Sequence, residues 1–442
     1  MINNIPIEVI EVMKTLEQNN YQAYIVGGCV RDMLLNREPK DYDVCTNATP
    51  DIMRSLFSHI IPTGEQHGTM TVILNNLPIE VTTMRRDGIY KDNRHPEEVF
   101  FTNNLIEDLA RRDFTINAMA YDILGNLYDY FGGQNDLKNQ YICAVNNPDD
   151  RFQEDALRML RALRFACQLD FLLDAKTYHA IWDNKNLINN VAIERVKEEF
   201  NKILISNNPV LGIEWMFVTG LLNYFLPELC VCRGFNQQNK HHNKNVYDHT
   251  MSVLENTPNN IHIRLAALLH DVGKPSTFTI DEEGRGHFYE HHKIGADMSR
   301  DILQRFKYDN KTIDMVSMLV YNHMSRYPHL RKTNLKKFIT RVGEENLEYL
   351  FELQIADIKG SKPPHDFSEI NNLKNQVYEV LHQKEPLRII DLDINGHDLI
   401  KLGIPQGKDI GRILNILLEK VLEVPLLNKK NLLLDIVQKE LK

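Results

Sequence analysis

Cysteine is scarce in this 442-residue sequence: there are six, and only Cys230 and Cys232 stand close together. No spacing suggests a zinc ribbon or a disulfide framework, so a reducing compartment, the cytoplasm, is expected. Long apolar runs are also missing. No stretch reaches the ~18 apolar residues that a membrane-spanning helix needs, and no membrane partner is expected. The amino terminus lacks the basic start and apolar centre of a signal peptide. Instead Ile7, Ile10, Met13 and Leu16 recur at helical spacing with Glu8, Glu11 and Lys14 between them, the pattern of an amphipathic surface helix. A surplus of positive charge is absent as well. Lys and Arg number 51 against 60 Asp and Glu, a net charge of −9 that argues mildly against a nucleic-acid partner. The cations are unevenly placed, however, with Arg85, Arg86, Arg111, Arg112, Arg151, Arg158, Arg161 and Arg164 all in the first half.

What is present is ordinary globular material, 43% hydrophobic and 25% charged, and the length predicts two to four domains. Up to about residue 140, short β-type runs alternate with helical patterns: Ala23 to Val26, Tyr42 to Cys45, Met70 to Leu74 and Ile79 to Thr83. From about Asp150 the pattern is almost wholly helical. A polar stretch, Arg233 to Asn245 with Gln237, Gln238, His241 and His242, reads as a domain join. Gly360, Pro363 and Pro364 mark another break. The predicted architecture is an α/β (α+β) head with a mixed sheet over 1–140, then an elongated all-α body divided into 141–235, 245–365 and 366–442.

The run Tyr24-Ile25-Val26 leads into Gly27-Gly28 and then Cys29-Val30-Arg31-Asp32, which reads as strand, tight turn, helix. Glycines at such a turn let backbone amides approach phosphate oxygens, and Arg31, one turn in, can clamp a phosphate. Asp41-Tyr42-Asp43 comes next among the polar signals. If this triplet is strand, the two carboxylates share one side and repel unless a cation lies between them. Oxygen-only ligation completed by phosphates suits Mg²⁺, and two such ions can activate a hydroxyl and stabilise leaving pyrophosphate. Glu80, on a later strand, is the candidate for a third carboxylate.

These segments resemble the signature of the polymerase β-type nucleotidyltransferase superfamily. Arg111-Arg112-Asp113-Phe114-Thr115-Ile116-Asn117-Ala118, Asp129-Tyr130-Phe131-Gly132-Gly133 and Glu154-Asp155-Ala156-Leu157-Arg158-Met159-Leu160-Arg161 resemble its bacterial-type (class II) CCA-adding branch. The resemblance implies template-independent addition of CCA to tRNA 3′ ends from CTP and ATP. It implies Asp41 and Asp43 on metal, Gly28 and Arg31 near the triphosphate, and Arg111, Arg112 and Asp113 near phosphate and sugar. It further implies Asp155 and Arg158 on the base, with Arg161 and Arg164 on phosphate. The base assignment has a chemical rationale. Cytosine and adenine each present an amine beside an unprotonated ring nitrogen, which a carboxylate and a guanidinium can read together; guanine and uracil present the reverse. On one continuous helix Asp155 and Arg158 are neighbours, and the arginines at 158, 161 and 164 repel unless anions are near. By resemblance, the polar segment with Arg85, Arg86, Tyr90, Lys91 and Arg94 is a flexible loop that helps the pocket switch from CTP to ATP.

Further along, His270-Asp271 ends an apolar helical run, with His249 upstream and Asp357 downstream. This set resembles the HD phosphohydrolase superfamily, and His291 and His323 match positions that hold a second metal in some members. Imidazoles around a shared carboxylate suit Mn, Ni or Fe, and the reaction expected is phosphoester hydrolysis at damaged RNA ends. The segment from Asp391 on resembles the helical tail of the same bacterial enzymes, which is expected to contact the tRNA elbow. Open alternatives are CC-only or A-only addition, poly(A) synthesis, and an RNA-binding HD hydrolase with an inactive head. The sequence leaves the oligomeric state open.

Overall fold

The structure, a computed structural model, describes residues 5–88, 98–235, 245–326 and 330–440. The loop positions Tyr90, Lys91 and Arg94, and Gln237, Gln238, His241 and His242 of the expected join, lie outside the described residues. The chain divides into two compact units, Met1–Pro227 and Glu228–Lys442.

The first unit holds a mixed seven-stranded sheet. Its strands are β1 (Ala23–Val26), β2 (Asp43–Thr46), β3 (Ile60–Gly64), β4 (Thr69–Leu74), β5 (Leu77–Thr83), β8 (Met119–Tyr121) and β9 (Leu127–Asp129), and a separate ribbon pairs β6 (Arg85–Asp87) with β7 (Val99–Phe101). The sheet order is β3-β4-β5-β2-β1-β8-β9, antiparallel throughout except for the parallel pair β2–β5. On one flank Val26, Cys45, Met84, Leu105, Leu109, Ala118, Ala120 and Val145 form a fully packed apolar cluster. That cluster ties the ends of β1 and β2 to the helix Leu105–Ala110, and thereby sets the turn after Val26 beside the start of β2.

Two local expectations are corrected. The first helix, Ile7–Gln18, buries Val9, Val12, Met13 and Leu16, while Ile7 is 57% exposed. The buried set also has helical spacing, so periodicity alone did not choose between two adjacent stripes. Asp41 precedes β2 rather than lying in it, and only Asp43 belongs to the strand. The carboxylates are therefore brought together by a bend entering the strand and not by strand alternation.

Helices dominate from Pro148 on. In the second unit, the helices Val246–Glu255, Ile261–Leu269, His291–Arg305, Asn310–Asn322 and Leu347–Gly360 pack together, and a short hairpin of Phe278–Ile280 with Gly286–Phe288 lies between two of them in sequence. No helix among the described residues is long and apolar enough to cross a membrane.

Candidate active site

The backbone at Gly27 turns with φ +83° before the helix Gly28–Leu34 begins. A Cβ at Gly27 would stand 3.0 Å from Arg112 Nη1 and 3.4 Å from Asp43 Oδ2. Glycine is thus required twice over, by the left-handed φ and by the close approach of an acid and a base. Asp43 opens β2 in register with Val26 on one side and Glu80 on the other. Burial, aided by the neighbouring Glu80 and Asp41 carboxylates, pushes the Asp43 carboxyl up to about 6, although Arg112 pulls the other way. Three carboxylates, Asp41, Asp43 and Glu80, are thus near neighbours at this corner, and such an all-oxygen donor set fits a divalent cation.

A cavity of about 450 Å³ opens here, lined by Gly28, Arg31, Asp41, Asp43 and Arg164 and also by Arg37 and Lys40 of the loop before Asp41. The last two were not among the sequence candidates. Arg31 is held by Asp32 (2.8 Å) and by Asn117 Oδ1 (3.0 Å).

The Arg111-Arg112-Asp113 segment is anchored by Asp108, a residue that sequence motifs did not single out. Asp108 is fully buried; its Oδ1 accepts from Arg111 Nη2 (2.7 Å), Arg111 Nε (3.0 Å) and the backbone amide of Arg85 (3.3 Å), and its Oδ2 accepts from Arg112 Nη2 (3.3 Å). It stands three and four residues before its partners on a helix, a spacing that does reveal it in retrospect. Removing a charge from such a buried cluster leaves cations without compensation. Asp108→Asn should cost about 3 kcal/mol in urea unfolding; a loss below about 0.5 kcal/mol would show that packing and not charge sets the corner.

Asp113 turns the other way. Its Oδ2 accepts two bonds from Arg161 (2.6 and 2.9 Å), and its Oδ1 accepts from the amide of Phe114 and from Asn117. Burial alone would raise the Asp113 carboxyl, but Arg161 and Asn117 outweigh it and hold it at about 2.

The helix expected to carry the base-reading pair is broken at that point. One helix, Pro148–Glu154, ends as Asp155 takes φ −137° and ψ 103°, and the next, Leu157–Leu169, begins two residues later. Asp155 and Arg158 are consequently not an intrahelical pair. Asp155 binds Arg195 (3.0 Å) and caps the amide of Leu157 (3.1 Å), whereas Arg158 binds Glu154 (2.6 Å) and the carbonyls of Arg111 and Arg151. The inference that the arginine stripe demands a bound anion also falls. Arg158, Arg161 and Arg164 each have a carboxylate of the chain itself: Glu154, Asp113 and, at 2.7 Å, Glu199. Glu199 and Arg195 come from the helix Ile193–Leu204, where sequence does not separate Glu199 from its neighbours Glu194 and Glu198.

In the second unit the six residues of the other expected site meet. His270 follows the helix Ile261–Leu269, His291 opens one helix, His323 follows another, and His249 and Asp357 lie within theirs. Asp271 is central, with Oδ2 3.3 Å from His270 Nε2 and 3.7 Å from His249 Nε2, and Oδ1 3.5 Å from His291 Nε2 and 3.8 Å from His323 Nε2. Asp357 Oδ1 lies 2.9 Å from His249 Nε2. Three Nδ1 atoms meet backbone carbonyls: His270 on Ala267 (2.7 Å), His291 on Phe288 (2.9 Å) and His323 on Val320 (2.6 Å). Those bonds direct the other ring nitrogen inward, where Nε2 of all three is buried and faces the Asp271 carboxylate. Burial drives His323 down to about 3, so its Nε2 offers a lone pair rather than a proton. Among the described residues, the sets of three or more ligand-type side chains with donor atoms within 4.8 Å of one another are His249, His270, Asp271 and Asp271, His291, His323. Lys274 (2.7 Å) and Arg326 bind the two carboxylates from the side of a 310 Å³ cavity.

Residues 23–143 match the family described as "Poly A polymerase head domain", 170–232 "Probable RNA and SrmB- binding site of polymerase A", and 287–437 "tRNA nucleotidyltransferase domain 2 putative". A CCA-adding enzyme of Lactobacillus johnsonii is 34% identical over 425 residues, 96% of this chain and 95% of that protein. With a CCA-adding enzyme of Limosilactobacillus reuteri, identity is 45% over 213 residues, 48% of this chain and only 53% of the relative. The chain thus spans about half the length of that relative in the stretch that aligns. Among solved structures, the Bacillus stearothermophilus CCA-adding enzyme in complex with CTP superposes with a TM-score of 0.72 at 26% identity, covering 98% of this chain and 96% of the other.

Proposed function

Because the chain belongs to the family of CCA-adding enzymes, we propose that it adds C, C and A to the 3′ end of tRNA from CTP and ATP. The RNA 3′-hydroxyl attacks the α-phosphate of the bound nucleotide, and pyrophosphate leaves. The observation that carries this reading is the cavity that opens at the glycine turn, where Gly28, Arg31 and Arg164 line one space with Asp41 and Asp43. A glycine turn of this kind lets backbone amides approach phosphate oxygens.

Asp41 and Asp43, with Glu80 adjacent in register, would hold divalent cations, and their oxygen-only donor set favours Mg²⁺. When bound, Mg²⁺ lowers the pKa of the attacking hydroxyl and neutralises charge on the leaving pyrophosphate. Arg31 and Arg164 on the cavity wall orient the phosphates, and Arg37 and Lys40 add positive charge where the 3′ end approaches. Asp113 locks Arg161 in place, while Arg111 and Arg112 answer to Asp108. Base selection falls to Asp155 and Arg158, each of which exchanges its present partner, Arg195 or Glu154, for the edge of the base. A cytoplasmic location goes with a tRNA substrate.

The deciding experiment supplies labelled CTP and ATP, singly and together, to a tRNA lacking its last three nucleotides. CTP alone should add two residues, ATP alone almost none, and both together CCA. Addition that stops at CC, or a run of A, would reassign the specificity.

Asp43 also makes the metal dependence sensitive to pH. Its carboxyl titrates near 6, above the ordinary value of 3.8, so the folded protein favours the protonated form. Stability tied to that proton is present at low pH and is lost as pH rises through about 6. Mg²⁺ should therefore raise Tm more at pH 7 than at pH 5, and Asp43→Asn should abolish the difference; equal shifts at both pH values in the parent would remove Asp43 from the metal site.

A second reading, for the second unit, rests on the inward-facing Nε2 atoms of His270, His291 and His323 gathered around the Asp271 carboxylate. Nitrogen donors around a bridging carboxylate fit a transition metal such as Mn, Ni or Fe, held by His249, His270, Asp271 and Asp357, with His291 and His323 available to a second ion. Such a metal supplies a hydroxide that attacks phosphoesters. Lys274 and Arg326, which line the same cavity, would then receive the phosphate.

A further inference from the structure

Phe165 carries no role in the chemistry proposed for the cavity, yet three arginines of that region converge on it. Its ring is buried, and the guanidinium carbons of Arg164, Arg31 and Arg161 lie 4.2, 5.1 and 5.5 Å from the ring centroid. Arg31 arrives from the helix after the glycine turn, whereas Arg161 and Arg164 precede Phe165 on its own helix. The ring also stands edge-on to Phe114, 5.7 Å away at 78°, directly after Asp113 in the chain.

Three guanidinium groups around one centre repel one another. Each has a carboxylate, Asp32, Asp113 or Glu199, but those acids lie on three different segments and draw their partners apart. What the three cations share is the ring. Its negative π-face attracts cations, an attraction that strengthens where water is excluded, and an aliphatic side chain of equal volume lacks it.

We propose that Phe165 is a positioning residue for nucleotidyl transfer: its π-face keeps Arg31 and Arg164 together on the wall of the cavity that holds Asp41 and Asp43. This rests on the reading of that cavity as the triphosphate site. Phe165 itself does not touch the nucleotide. It sets the spacing of the side chains that do, so its loss weakens nucleotide binding more than it slows chemistry.

The test replaces Phe165 by phenylalanine carrying one, two or three ring fluorines, which drains the π-face while nearly preserving shape. Phe165→Tyr and Phe165→Leu complete the set. CTP affinity, the KM for CTP, kcat and Tm are measured on the full-length protein. Affinity should fall stepwise with fluorination, by about tenfold across the series. KM should rise in step, with kcat within about twofold and Tm nearly constant. Phe165→Tyr should behave as the parent and Phe165→Leu should fall at or below the trifluoro protein. Affinity that ignores fluorination while Phe165→Leu still binds weakly makes the ring mere packing and overturns the proposal. A parent that extends tRNA normally with a flat fluorine series sinks only Phe165; a parent that neither binds CTP nor extends tRNA sinks the triphosphate site as well.

Discussion

Protein carrying both Asp41→Ala and Asp43→Ala should extend a truncated tRNA about a thousandfold more slowly than the parent, or not at all. The expected loss is large because these are the two cavity-lining carboxylates that would carry the divalent cations. It should not be a folding defect. Asp41 is exposed, and the carboxyl of Asp43 is already pushed up to about 6 by burial and by its acidic neighbours. At neutral pH, ionised Asp43 therefore costs stability, and Asp43→Ala or Asp43→Asn should melt at or above the parent temperature without Mg²⁺. Rates within tenfold of the parent, measured with labelled CTP at saturating Mg²⁺, would put the catalytic centre elsewhere.

The second large effect concerns metal content. Purified protein should carry close to one equivalent of a transition metal, and His270→Ala should reduce it to background by elemental analysis. Asp271→Ala should do at least as much, because both ligand sets share its carboxylate. Lys274 and Arg326 now satisfy Asp271 and Asp357, so a bound ion displaces part of that pairing. CMP and AMP incorporation should be unchanged in His270→Ala, since no residue of the nucleotide cavity is altered. A parent free of metal after purification in its presence would reduce the histidine cluster to core packing.

Legibility in the sequence tracked the range of the interaction. Gly27, Gly28 and Arg31 fall within one turn, and the strand-turn-helix they predict is present over Ala23–Leu34. The partners of Asp43 were harder to read. Glu80 is its neighbour only because β2 and β5 pair in parallel across more than thirty residues of chain. The break at Asp155 was invisible, since Glu154 to Phe165 has continuous helical periodicity and contains neither glycine nor proline. There Asp155 caps the amide of Leu157 at the start of the second helix, and tertiary packing brings Arg195 to the same carboxylate.

The chain's own residues, read in order, determined the family resemblance, the mixed head and helical body, and the set of acids, arginines and histidines proposed to carry chemistry. Those depend on local spacing, which sequence records directly. That Asp113 neutralises Arg161, Glu199 Arg164 and Asp155 Arg195, and that three guanidinium groups share one aromatic ring, were decided by tertiary structure. Asp108 with Arg111 and Arg112, Glu154 with Arg158 and Asp32 with Arg31 are local pairs. Charge pairing depends on distance in space, and for the other pairs that distance is set by the packing of segments remote in sequence.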